Sequence, residues 1–341
     1  MVAAMLRRNC FYISGMTEDA SGGIFRCRWD GTPRILDRTP LERNLFLTWG
    51  GDGRTLYAAA RDRGRGAVAA FRVAPDGELT LLNMLPAGGD SACYLTVSPD
   101  GKFLYSANYA SGNWSEFPLA PDGALAKLNR VVDCRKDARA PSHPHCCVFT
   151  PDGKFLCVVD LGLDRIFLHA FDAGRGVSPD ATEAVALETG FGPRHLCFDA
   201  AGQNAYLLGE SSGEIQRFRY ENGRFIPGCR VSALSAPGKV VGEAAAIRLS
   251  RNGKFLFASN RGDDSIAVFS VNASGELTLK THVPSLGKSP RDFFFLPGCG
   301  IMAVANEFSD EVVFFACDQN SGEIGVPLGK LALPRPLYLL A

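Results

Sequence analysis

Apolar runs of six or seven residues recur along the whole chain, each opened by a turn, and helical periodicity is nowhere sustained. Arg54-Thr-Leu-Tyr-Ala-Ala-Ala60 follows Gly53, Lys102-Phe-Leu-Tyr-Ser-Ala-Asn108 follows Gly101, and Lys154-Phe-Leu-Cys-Val-Val-Asp160 follows Gly153. Further copies follow Gly202, Gly253 and Cys299, the cysteine taking the glycine place. Their spacing is about 49 residues, the length of a four-stranded propeller blade. Each run is preceded by another apolar strand ending in a turn such as Ser98-Pro-Asp-Gly101. There Pro and Asp open the turn and Gly accepts positive φ. A second turn about 20 residues later, as at Pro75-Asp-Gly77, Pro121-Asp-Gly123 and Ala273-Ser-Gly275, supplies the remaining hairpin.

Phe11-Tyr-Ile-Ser-Gly15 reads as a seventh run without its preceding strand. The terminal Pro336-Leu-Tyr-Leu-Leu-Ala341 is the candidate to pair beside it. The expectation is an all-β chain: residues 1–341 as a single domain, a seven-bladed β-propeller of four-stranded antiparallel blades whose ring is closed by the N- and C-terminal strands.

Composition narrows the partners. Among 341 residues, 36 Lys and Arg balance 36 Asp and Glu, so no global field draws nucleic acid or an anionic membrane. No apolar run approaches the roughly 20 residues that span a bilayer. Eleven cysteines without CxxC spacing, and a start lacking the apolar stretch of a signal peptide, point to reduced thiols and a cytoplasmic location. The N-x-S matches at Asn113 and Asn272 are then chance.

Taking the turn glycine (or Cys299) as zero, positions −8 and +8 meet at one end of each hairpin. Position −8 holds Leu45, Cys93, His145, Arg194, Ala245 and Arg291; position +8 holds Arg61, Tyr109, Leu161, Glu210, Arg261 and Glu307. If these strands are innermost, four arginines, two glutamates and a histidine converge on one channel mouth. Arginine forks suit an anionic ligand. The alternative is a set of structural ion pairs on a polar rim.

Three other signals are weaker. Gly209-Glu-Ser-Ser-Gly213 matches G-x-S-x-G, but a nucleophile elbow needs a strand-to-helix turn and this lies in a β repeat. Adjacent residues of His143-Pro-His145-Cys-Cys147 would face opposite sides of a strand and cannot share a metal ion, so no metal and no cofactor are expected. Asn108, Asp160, Asn260 and Asn306 all occupy position +7, which reads as strand-end hydrogen bonding.

Pro144-His145, Gly192-Pro-Arg-His195, Glu210, Ser259-Asn-Arg261-Gly and Ser289-Pro-Arg-Asp-Phe293 together resemble the lactonase family of seven-bladed propellers. That family includes a bacterial type of 6-phosphogluconolactonase and fungal carboxymuconate cyclases. The resemblance implies an active site at His145, Arg194, Glu210 and Arg261, with His195 and Arg291 from its other motifs. Two positions depart from the pattern: Ala246 where a glutamate is expected, and Tyr94 where a histidine is. Glu243 is a candidate replacement for the missing acid.

The implied activity is metal-independent hydrolysis of an acidic or phosphorylated sugar lactone, with the anionic lactone as small-molecule partner. His145 or Glu210 would serve as base or acid, Arg194 as carbonyl polariser, and Arg261 with Arg291 as anion clamp. His195, Arg61 and Glu307 join the substrate-binding set. The alternatives are a muconate-type lactonising cycloisomerase, which runs the same proton transfers in reverse, and a non-catalytic binding propeller.

Overall fold

The computed structural model describes residues 10–17, 21–135, 140–236 and 243–341. They form seven four-stranded antiparallel sheets arranged as blades around one channel, with a single short 3-10 turn at Glu307–Ser309. We number the blades I to VII in chain order.

Six innermost strands come from the apolar run that precedes each turn: Glu42–Trp49, Ala92–Val97, Pro144–Phe149, Pro193–Phe198, Ala244–Leu249 and Pro290–Leu296. The seventh is Pro336–Leu340, which lies innermost in blade I and pairs with Cys10–Gly15, Tyr12 opposite Leu340 and Ser14 opposite Tyr338. This last strand closes the ring as expected, and Trp49 Nε1 donates to the carbonyl of Ala341 at 3.2 Å.

No single core exists. Seven buried clusters each fill the interface between two neighbouring blades, for example Phe11, Trp29, Val312 and Phe314 between I and VII. The second strands are therefore buried on both faces, which explains their unbroken apolar runs, such as Phe103–Asn108 and Ile301–Asn306.

The turns behave as read, with one difference. Gly101 and Gly253 sit at φ of 71° and 70°, the left-handed region that glycine enters without strain. Cys299 does not adopt that conformation; Gly298 and Gly300 on either side, at 72° and 63°, carry the turn.

The asparagines at position +7 act as clips between blades, whereas Asp160 binds around its own. Asn108 donates to the carbonyl of Ala87, Asn260 to Ala233 and Asn306 to Ser285, each acceptor lying just past the outermost strand of the preceding blade. Asp160 accepts from the backbone of His143 at 2.8 Å and from Gly162 and Leu163. Asn113 is buried and held by Asn108, which leaves it inaccessible to glycosylation.

Asn108→Ala should lower stability by about 1–3 kcal/mol, because it strands buried partners that include the Asn113 amide. Urea unfolding measures this. A midpoint equal to that of the unsubstituted chain would contradict the clip.

Candidate active site

Every innermost strand carries an irregularity at its mouth end. Pro144 pairs with Asp160 and Cys146 with Val159, so His145 is the extra residue of a β-bulge. Arg194 lies between the pairs Pro193–Gly209 and His195–Leu208, and Arg291 between Pro290–Asn306 and Asp292–Ala305. Cys93 holds the same place in blade III. A bulge re-aims the extra side chain out of the sheet. It thereby frees His145, Arg194 and Arg291 from blade packing and turns them toward the mouth.

At the strand ends opposite, Glu210 meets Arg194 of its own blade and Arg261 of the next. Arg194 Nε lies 2.7 Å from Oε2 and Arg261 Nη2 lies 3.1 Å from Oε1. Arg194 also donates to the carbonyl of Ala245, and its Nη1 sits 3.1 Å and 3.3 Å from the two nitrogens of His195. Arg261 Nε donates to the carbonyl of Glu243 at 3.0 Å. The His145 ring meets His195 and Tyr109 edge-on, both at 5.5 Å between centroids.

Four of the residues read from sequence thus gather: His145, Arg194, Glu210 and Arg261. Arg291 and Glu307 pair with each other at 3.3 Å, and Glu307 also binds Arg335 at 2.6 Å, a residue the repeat register did not include. Arg61 is held by Asp90 at 3.3 Å. His195 lies deeper, where it lines a channel cavity of about 390 Å³ with Tyr94, Ala246, Arg248, Phe294 and Tyr338.

Both departures from the family pattern, Tyr94 and Ala246, line that cavity. The carboxylate that pairs with Arg248 there is Asp292, at 2.9 Å from the adjoining blade, while the Glu243 side chain is exposed.

The minor motifs resolve simply. Gly209–Gly213 links strands Asn204–Gly209 and Glu214–Glu221, with no helix after Ser211. Cys146 and Cys147 enter different inter-blade cores, and His143 stacks on Tyr109 at 4.5 Å. Among the described residues no three His, Cys, Asp or Glu side chains are grouped to share a metal ion.

The electrostatics follow from burial among cations. Burial, reinforced by Arg194, holds both His145 and His195 well below the ordinary 6.5, so both are neutral near pH 7. Burial alone would push Glu210 up, but the charges of Arg194, Arg261 and Arg291 hold its carboxyl down to about 2. Burial lowers Arg194 to about 10, which leaves it cationic at neutral pH. Hydrogen-bond alignment within the cluster is incomplete. His145 Nδ1, Arg194 Nε and Arg261 Nη2 are buried with no directed hydrogen bond, so the two contacts to Glu210 are close ion pairs rather than aligned bonds.

These shifts set the pH dependence of stability. His145, His195 and the buried His169, at about 4, stay neutral in the fold but take up protons on unfolding below 6.5. Stability is therefore complete above 6.5 and falls with pH below it, by at most about 1.4 kcal/mol per unit for each histidine. Glu210 adds stability that is present above 4.5 and is lost as pH falls through about 2. Melting temperatures from pH 8 to 5 should fall below about 6.5, more shallowly in His145→Asn. A Tm that rises toward pH 5 would contradict the neutral assignment.

The family model described as lactonase, 7-bladed beta-propeller, matches residues 10–340. The chain is 31% identical over 340 residues to a Bacillus subtilis protein named 6-phosphogluconolactonase, spanning 96% of each. It is 32% identical over 292 residues to a protein of the same name from Formosa agariphila, spanning 82% of each. A solved periplasmic gluconolactonase of Pseudomonas aeruginosa superimposes with a TM-score of 0.89 at 32% identity, over 97% of this chain and 99% of that one. With the repeat and the closing strand in agreement with these matches, the chain belongs to the lactonase family of seven-bladed β-propellers.

Proposed function

We propose that the chain hydrolyses a lactone bearing an acidic group, of the phosphorylated sugar-lactone type, at the mouth built by blades IV to VII. The observation that carries this reading is the convergence, on one mouth, of a neutral imidazole and two guanidiniums held by Glu210. Arginines fixed in this way beside an uncharged base are the equipment for receiving a ligand oxyanion.

The chemistry divides by charge state. A carboxylate held near 2 by arginines is a poor proton acceptor, so Glu210 serves to fix Arg194 and Arg261. Neutral His145 takes a proton from water as its oxygen attacks the lactone carbonyl, and Arg194 and Arg261 receive the developing oxyanion. Collapse breaks the bond to the ring oxygen. That oxygen takes the proton back from His145, which returns to its neutral form. The product is the open hydroxy acid. Positive charge for polarising the carbonyl comes from arginine, so the reading needs neither metal nor cofactor. None of the eleven cysteines is in a disulfide, which is compatible with a reducing setting.

Acid release from a panel of phosphorylated, carboxylated and neutral sugar lactones, against buffer hydrolysis, tests the proposal. Acidic lactones should be opened fastest, with activity intact in EDTA. His145→Asn should lower kcat by roughly 10²- to 10⁴-fold with little change in KM. Rates equal to buffer for every lactone, an undiminished His145→Asn, or activity lost to EDTA and restored by Ca²⁺ would each overturn it.

A further inference from the structure

The mouth contains a second charged cluster built to the same plan as the first. In blade V, bulge residue Arg194 and strand-end Glu210 are joined by Arg261 from the next blade. In blade VII, bulge residue Arg291 and strand-end Glu307 are joined by Arg335, which leads into the closing strand of blade I. Each cluster sets two guanidiniums against one carboxylate and so keeps one positive charge uncompensated.

The two clusters differ in access. Glu307 is 4% exposed at the side chain, whereas Arg335 is 40% exposed and opens to solvent. The carboxylate is thus a buried anchor that fixes both arginine heads while their outer N–H groups stay available. Arg335 Nε is itself buried without a hydrogen-bond partner. Phe308, 66% exposed, lies 5.9 Å from the Arg335 guanidinium and adds an apolar wall on the outer side. Arg194 and Arg291 hold the same bulge position on innermost strands that begin at one rim of the channel, so the two clusters border one mouth.

We propose that Arg291 and Arg335, anchored by Glu307, form a second anion subsite that takes the terminal oxyanion of the substrate, remote from the carbonyl held by Arg194 and Arg261. This rests on the lactone reading of the first cluster and specifies its substrate class: a lactone with an acidic group at the far end of the chain. Prefixed arginines favour such a group because little side-chain entropy is lost when it binds. A terminal phosphate and a terminal carboxylate share the required chemistry.

Calorimetric titration with gluconate, 6-phosphogluconate and glucarate tests the subsite without turnover. The unsubstituted protein should prefer both acids with a second terminal anion over gluconate. Arg335→Gln should weaken those two by about 10- to 100-fold and leave gluconate unchanged, the loss expected for a charge-assisted pair. The stronger of the two identifies the terminal group. Arg335→Lys, which keeps the charge without the fork, should fall between, and unchanged circular dichroism excludes unfolding as the cause.

A protein without preference for a second anion, or an Arg335→Gln that weakens all three acids equally or none, would overturn the subsite. The two proposals fail separately. Selective loss in Arg335→Gln by a protein that opens no lactone would keep the subsite and discard the hydrolase reading. Lactone opening without that selectivity would do the reverse.

Discussion

Seven strands must begin at the same rim of one channel, and the rest of the structure depends on that convergence. It brings residues as distant in sequence as His145 and Arg335 to one mouth, although each blade is built from local hairpins. Closure makes the convergence permanent. Pro336–Leu340 supplies the innermost strand that the first hairpin lacks, and Asp292 ties that strand to blade VII by accepting from the backbone of Leu339 at 3.0 Å. Each innermost strand is the edge of its own sheet, and that short edge faces the channel, flanked by the inner strands of the neighbouring blades.

The bulges turn this scaffold into a site. A regular strand would direct every side chain into one of two inter-blade cores, where a charge is costly. One extra residue at the mouth end breaks that alternation where the sheet ends, and there the chain places a histidine or an arginine in blades IV, V and VII. Burial beside these arginines then sets protonation: imidazoles neutral, Glu210 ionised, and guanidiniums charged with donors to offer. The same plan used twice, at Glu210 and at Glu307, gives the mouth two positive poles.

The repeat carried much of this in plain view. Turn glycines fixed the blade length, the orphan run at Phe11 called for a closing strand, and the −8/+8 register selected His145, Arg194, Glu210 and Arg261 together. What the register lacks is direction. Arg61 shares position +8 with Glu210 and Arg261, yet Asp90 on the neighbouring loop captures it, and no periodicity encodes that loop's path. His195 follows Arg194 by one residue and so falls past the bulge, toward the channel cavity. Arg335 escaped because it precedes Pro336, whereas the bulge residues follow Pro144, Pro193 and Pro290; the same alignment puts Leu337 at the bulge position of the first blade. The pairing of Arg248 with Asp292 joins two blades, and a register confined to one blade does not see it.

In the proposed reaction the lactone carbonyl is received at the bulge layer, on the rim where His145 and Arg194 emerge. A crystal structure with a lactam analogue of the best lactone locates that carbonyl directly. Its oxygen should lie within hydrogen-bond distance of Arg194 or Arg261, with its carbonyl carbon facing His145. An analogue seated instead in the channel cavity beside Arg248 and Tyr338, or at the opposite face of the ring, would contradict it.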